Sequence, residues 1–287
     1  MRNNFFNTTI KAEVIKFLEK KKLKFKIPKT SFFNIQSWND DKKKIYKNLI
    51  KEFKNKKKII IRSSTRFEDS SQKSQAGKFL SILDVNIKDK NKFYKSVNKV
   101  ILSYGKSRSN KDQILVQEMI SNVYSSGVVF TKDIESGNDY YVINYDDVTG
   151  KTNTVTSGSS FYSNRILYIY KNHLNKIKSY RFKKLIHCVK NLETVLNNDL
   201  LDIEFAISKD QKFFLLQVRP ISTSKKWKLI NKKNIEKIFS QNEKLLSKKF
   251  KSKKKLNGNT TIFGNMPDWN PAEIIGKYPS ELSYSLY

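Results

Sequence analysis

The sequence predicts an α+β fold with a Lys-rich helical C-terminal extension. Three observations predict it. Residues 202–219 alternate apolar and polar side chains with period two, as a β-hairpin does. A β-branched run at 59–61 and an apolar run at 114–120, interrupted by polar residues, read as strands. Leu185, Cys188, Val189, Leu192 and Val195 form one stripe at helical spacing within 177–198.

The elements follow in chain order. Thr9-Ile10-Lys11 precedes a helix at about 12–22, then Phe25-Lys26-Ile27-Pro28 and Phe32-Phe33. Ile59-Ile60-Ile61 is a strand that opens into Arg62-Ser63-Ser64-Thr65-Arg66-Phe67-Glu68-Asp69. A buried strand ending in Arg and hydroxyls places ligand groups at a sheet's edge. The same run reads as a helix cap, with Ser or Thr ahead of Glu68 and Asp69. Ile114 to Ile120 is a further strand interrupted by Gln117 and Glu118. Gly127 allows close backbone approach, and 133–137 has the composition of a turn. Residues 140–145 form another strand.

In the hairpin, a turn at Lys209–Lys212 pairs Ser208 with Phe213. Glu204 then faces Gln217, and Asp202 faces Arg219. Cross-strand partners point the same way, so these four polar groups share one face. Ile203, Phe205 and Ile207 are expected on the other face with Phe214, Leu216 and Val218. A carboxylate, an amide oxygen and a guanidinium together suit Mg²⁺ and polyphosphate, because hard cations prefer oxygen and Arg matches phosphate bidentately. A surface hairpin with a cross-strand salt bridge is the plainer reading.

Four motifs carry a family resemblance. They are Arg-Ser-Ser-x-x-x-Glu-Asp at 62–69, followed by Ala76-Gly77 and a strand to Val85; Val-Gln-x-Met-Ile at 116–120; Ser-Gly-Val-x-Phe-Thr at 126–131; and Asp-Ile-Glu-Phe-Ala with Leu-Gln-x-Arg-Pro across 202–220. In this order and spacing, residues 8–222 resemble the nucleotide-binding domain of phosphoenolpyruvate synthase and pyruvate phosphate dikinase. The resemblance implies an ATP-grasp fold, in which two α+β lobes close over ATP and Mg²⁺. Residues 265–276 resemble a segment that follows this domain in synthase-like proteins.

The resemblance also implies roles. Glu204 and Gln217 would ligate Mg²⁺ bound to the ATP phosphates. Arg62 and Arg219 would hold the phosphates and offset charge on the transferred group. Asp202 would orient Arg219. Gln117, Glu118, Met119 and Ile120 match the segment that receives adenine, with Met119 a soft apolar contact. Gly77 and Ser81 match the phosphate-covering loop. Lys11 takes the register of a phosphate-binding lysine, although the family's glycines are missing there; it reads equally as one solvated lysine among many. Asn144-Tyr145-Asp146-Asp147 replaces the family's Gly-Leu-Gly-Glu. Asp146 or Asp147 then either stands in for that glutamate or belongs to an ordinary Asp-rich turn.

Composition bounds the rest. The 287 residues carry a net charge of +31. Only seven of the 57 basic residues are Arg, and the lysines are scattered without the Arg and aromatic clustering of a nucleic-acid readout site. No specific nucleic-acid partner is expected. No apolar run reaches 18 residues, so no membrane span is expected, and residues 1–6 hold no signal-peptide core. A single cysteine, Cys188, fits a buried structural role and a reducing cytoplasm.

The expected partition is 1–105 and 106–224 for the two lobes, 225–257 for a basic helical linker, and 258–287 for the start of a truncated following region. The larger family relays phosphate through a histidine on a swivelling domain. The two histidines here, His173 and His187, lack that sequence context. The expectation is therefore an ATP-dependent phosphotransferase domain whose acceptor histidine sits on a swivelling domain elsewhere. The alternatives are a non-catalytic nucleotide-binding or assembly module and, from charge alone, a polyanion-binding protein.

Overall fold

Buried β-branched residues build two antiparallel sheets, each with its own core. The computed structural model describes residues 11–56, 58–65, 80–105, 108–152, 155, 165–221, 227, 229, 231–251 and 258. The chain divides into two units, Met1–Leu229 and Ile230–Tyr287.

The first sheet has the order β1-β4-β2-β3, with β1 at Thr30–Asn34, β2 at Ile59–Ser64, β3 at Ser81–Val85 and β4 at Gln113–Glu118. Helices α2 (Ile35–Glu52) and α3 (Lys90–Ser103) pack on it. Ile59, Ile61, Ile114 and Val116 from the strands meet Trp38, Phe93, Val97 and Val100 from the helices. Trp38 anchors this core, stacked on Phe33 at 5.4 Å and edge-on to Tyr94 at 5.1 Å.

The second sheet runs β7-β6-β5-β8-β9. Its strands are β5 at Val123–Phe130, β6 at Tyr140–Asp146, β7 at Arg165–Tyr170, β8 at Leu201–Ser208 and β9 at Phe213–Pro220. Helix α4 (Tyr180–Leu196) covers it with the apolar stripe read in the sequence. The helix ends where Asn197 adopts the left-handed conformation at φ 46°, a residue type tolerant of that turn. Cys188 is buried in this core, and burial pushes its thiol up to about 11. Gly127 sits where β5 meets β6. A Cβ there would lie 2.0 Å from the Asn144 carbonyl oxygen, so only glycine fits.

Helix α1 (Lys11–Glu19) touches both sheets. Val14 and Leu18 join the core of the second sheet. The Ser64 hydroxyl at the end of β2 accepts from the Ala12 N–H at 3.1 Å, which ties the helix start to the first sheet. The chain after α1 then runs along β9, with Lys26 N–H donating to Phe213 O at 2.8 Å and Leu215 N–H to Lys26 O at 2.9 Å. That contact covers an otherwise open sheet edge.

The hairpin forms, with one correction. Asp202 pairs with Arg219 and Glu204 with Gln217, as the alternation predicts. Nearer the turn, Ile207 pairs with Phe213, not Ser208, and Leu215 faces Phe205. The register shift falls next to Glu204, leaving Leu216 as the extra residue of a β-bulge. The bulge changes which β9 side chains are buried where. Phe213, Leu215 and Val218 enter the main core beside Ile203, Phe205 and Ile207. Leu216 and Phe214 turn to the opposite face, with Ala206.

In the second unit, α5 (Lys232–Lys249) is capped by Asn231, whose side chain accepts from the Lys233 N–H. Ile238, Leu245 and Leu246 are exposed on it, and Lys248 and Lys249 close its last turn in the favourable dipole sense. Among the described residues no helix is long and apolar enough to cross a membrane.

Candidate functional site

The polar groups at the end of β2 meet those of the β8–β9 hairpin across the two sheets. Ile59 and Ile61 fix β2 in the first core, and Ile60, also buried, lies on the alternate face with Arg62. Arg62 Nη2 donates to Glu204 Oε2 at 3.0 Å and to Gln217 Oε1 at 2.9 Å. The ion pair is largely enclosed, with side-chain exposures of 13% for Arg62 and 18% for Glu204. Ser81 stands directly across from Arg62 in the β2–β3 pair.

Further along the same face, Arg219 Nε donates to Asp202 Oδ2 at 2.7 Å. Asp202 is the more buried partner, so it holds the guanidinium that reaches outward. This contact is the geometry that a positioning role for Asp202 requires.

The field around Glu204 is strongly positive. Burial pushes its carboxyl up, but the charges of Arg62, Lys11 and Arg219 push it down further, to below the ordinary carboxylate range. Lys11 is therefore close enough to act on Glu204, and at 5% exposure it is not a solvated surface lysine. Three cations beside the Glu204 and Asp202 carboxylates leave net positive charge that suits a polyanionic ligand.

Gln117 to Ile120 lie where the chain leaves the first sheet for the second. Gln117 is fully buried. Its Nε2 makes long contacts to Thr30 Oγ1 (3.4 Å) and Leu216 O (3.5 Å), and its Oε1 is buried with no hydrogen-bond partner. Glu118 pairs with Lys56 and accepts from the Lys29 N–H, so its side chain is held by the first sheet. The Met119 N–H donates to Lys58 O at 3.1 Å. Ile120 packs with Val123, Ala206, Leu216 and Phe214 in a small apolar cluster. Ala206 is two residues from Glu204 on the same strand face, so this cluster adjoins the polar site.

Sequence reasoning missed Leu216 and Phe214 as neighbours of this face. Alternation alone puts them in the main core, and only the bulge reverses them. It also missed Asn144. Gln217, Glu204, Val128 and Asn144 stand in one cross-strand row over β9, β8, β5 and β6. Asn144 Oδ1 is buried without a hydrogen-bond partner.

The two aspartates that follow are engaged in local structure. Asp146 accepts from the Val148 and Thr149 N–H groups and from the Thr149 hydroxyl, which is a turn built on its own side chain. Asp147 pairs with Arg165 and Arg181. The Asp-rich turn is thus what these residues form. Gly77, Arg66 to Ser71 and residues 265–276 lie outside the described residues.

The donor set can be tested against a divalent cation. A carboxylate oxygen and an amide oxygen already converge on one positively charged nitrogen, Arg62 Nη2. Two such oxygens fit Mg²⁺, which keeps its remaining positions for phosphate and water. Among the described residues no group of three or more His, Cys, Asp or Glu assembles a metal cage. His173 and His187 are both away from this site. His173 lies in the short helical turn Lys171–Lys176 against Tyr170, and His187 is exposed on α4.

Residues 19–159 match the family model described as pyruvate phosphate dikinase, AMP/ATP-binding domain. Similar solved structures include the D-alanine-D-alanine ligase of Helicobacter pylori, at 13% identity and TM-score 0.39, over 74% of this chain and 50% of that one. D-alanyl-alanine synthetase A of Vibrio cholerae matches at 14% identity and TM-score 0.42, over 76% and 55%. The VanG D-Ala:D-Ser ligase of Enterococcus faecalis matches at 9% identity and TM-score 0.38, over 75% and 53%. The chain spans about half the length of these structures. No curated protein matches it in sequence.

Proposed function

We propose that this chain, whose residues 19–159 match the pyruvate phosphate dikinase AMP/ATP-binding domain, binds Mg·ATP between its two sheets and donates a phosphoryl group to a histidine on a separate swivelling domain. One observation carries the reading. Arg62 reaches from the first sheet to the facing pair Glu204 and Gln217 on the second, so polar groups of both sheets meet at one point.

Glu204 and Gln217 would hold Mg²⁺. Bound there, the ion would neutralise phosphate charge and fix the triphosphate for in-line transfer. Lys11, Arg62 and Arg219 supply fixed positive charge for the phosphates, with Arg219 steadied by Asp202. Ser81 lies across from Arg62 at the start of β3, where its hydroxyl would face the phosphates. The base would lie against Ile120, Leu216 and Phe214, where the buried Gln117 Oε1 offers an acceptor for its edge.

The transfer itself needs an imidazole that attacks phosphorus and then leaves for the acceptor. In the family reaction the bond between the α- and β-phosphates breaks, AMP leaves, the β-phosphate goes to that histidine, and the γ-phosphate is discarded or transferred. The test uses labelled ATP and Mg²⁺. The chain alone should acquire no acid-labile phosphate, and an added swivelling domain with its histidine should become labelled. Label on His173 or His187 would instead make this a self-contained kinase. ATP binding without label on either component would support a nucleotide-binding module, a reading favoured by the local engagement of Asp146 and Asp147.

A further inference from the structure

We infer that Arg62 and a divalent cation exclude one another at Glu204 and Gln217, so that metal enters this site only together with a nucleotide that draws Arg62 away. The inference rests on the Mg·ATP reading above and adds an order of binding to it. Arg62 Nη2 lies 3.0 Å from Glu204 Oε2 and 2.9 Å from Gln217 Oε1. These are the two oxygens best placed to ligate a cation. One nitrogen sits within bonding distance of both, in the space that an ion bound to both oxygens would take. An ion about 2.1 Å from each oxygen cannot coexist with that nitrogen.

The electrostatics agree with the geometry. Lys11 and Arg219 add positive charge to the same carboxylate. A lone dication therefore meets three cations against two carboxylates, of which Asp202 is already paired with Arg219 and Glu204 with Arg62, and its second oxygen is only an amide. Phosphate reverses this balance. It brings negative charge of its own, and it offers Arg62 oxygens that match the guanidinium fork better than one carboxylate and one amide do. Arg62 Nε is buried with no hydrogen-bond partner in its present position, so a second donor is left for phosphate to satisfy. Because Arg62 rises from the first sheet and its partners from the second, its transfer to phosphate also replaces a direct link between the sheets by one made through the nucleotide.

The test is binding of Mn²⁺ alone, followed by electron paramagnetic resonance, without nucleotide. Wild-type protein should bind no Mn²⁺ that is lost on Glu204→Gln. Arg62→Met keeps the bulk of the side chain and should gain a saturable Mn²⁺ site at least about tenfold tighter, the scale of one charged hydrogen bond. The double variant Arg62→Met/Glu204→Gln should lose it. Equal Mn²⁺ binding by folded wild-type and Arg62→Met protein would overturn the inference. So would a Glu204-dependent Mn²⁺ site in the wild-type protein alone, a measurement that needs no folded Arg62 variant. Calorimetry of wild-type protein with Mg·ATP separates the two claims. Its failure would strike the nucleotide reading, whereas the Mn²⁺ titrations judge the exclusion.

Discussion

Glu204 and Gln217 stand directly opposite each other in the β8–β9 pair, and their side-chain oxygens share a single nitrogen of Arg62. The pairing depends on a bulge. Without Leu216 as the extra residue, the turn register would place Glu204 opposite Leu216 and move Gln217 to the buried face. Local backbone irregularity thus positions the chemistry, and two separate cores hold it in place.

Arg219 should act on phosphate and not on the fold. Its Nε is held by Asp202, while part of the guanidinium remains accessible. Arg219→Lys keeps the charge and loses the fork. Stability should stay within about 1 kcal/mol of wild type, as for changes away from core packing. ATP affinity should fall about tenfold, since charged hydrogen bonds contribute about 1.5–3 kcal/mol each. Thermal melts and calorimetry check both. Asp202→Asn should weaken ATP binding in the same direction by loosening Arg219.

The pH dependence of the site follows from Glu204. Burial raises its carboxyl, but Arg62, Lys11 and Arg219 outweigh burial and lower it. A depressed folded-state value stabilises the protein above the unfolded value of about 4.3 and loses that contribution as pH falls through the folded value. Denaturant melts from pH 7 down to pH 3 should therefore show a smaller acid loss in Glu204→Gln than in wild type. Equal acid sensitivity would contradict the charge arrangement.

Gly127 should be among the least replaceable positions in the second sheet. An alanine Cβ would meet Asn144 O at 2.0 Å and Tyr145 Cα at 2.8 Å, both backbone atoms that cannot swing aside. Gly127→Ala should cost at least about 1–3 kcal/mol, the usual range for overpacking, and should disturb the β5–β6 pair. Denaturant unfolding measures it. A neutral result would mean that the two strands are farther apart than described.

Cys188 should be inert in the native protein. It is buried in the α4 core and its thiol is pushed up to about 11, so little thiolate forms near pH 8. A thiol reagent should modify it at the rate of unfolding and rapidly in denaturant. Fast modification of the folded chain would place Cys188 at the surface.

Much of the site was legible in the sequence because its residues lie on strands, where period two fixes which side chains share a face. Asp202, Glu204, Gln217 and Arg219 are of this kind, and so is Arg62 at the end of three isoleucines. The bulge was not legible. Leu215 and Leu216 are chemically identical, so nothing in the pattern says which one is the extra residue. Asn144 was also hidden, since its strand at 140–145 is legible but its cross-strand row with Val128 and Glu204 depends on long-range pairing. Helices α2 and α3 and strands β1 and β7 went unread for a different reason. Lysine is so frequent here that a polar face carries little contrast, and α2 buries only Ile35, Trp38 and Leu49. Membership of β4 in the first sheet depends on long-range pairing with β1 and β2, which local pattern does not encode.

Calorimetric titration of ATP into wild-type and Glu204→Ala protein, with and without Mg²⁺, tests the central claim most directly. The account predicts Mg²⁺-dependent binding to the wild-type chain and its loss in a variant whose melting curve shows an intact fold. Unchanged Mg·ATP affinity in Glu204→Ala would contradict the assignment of the hairpin face as the nucleotide and metal site.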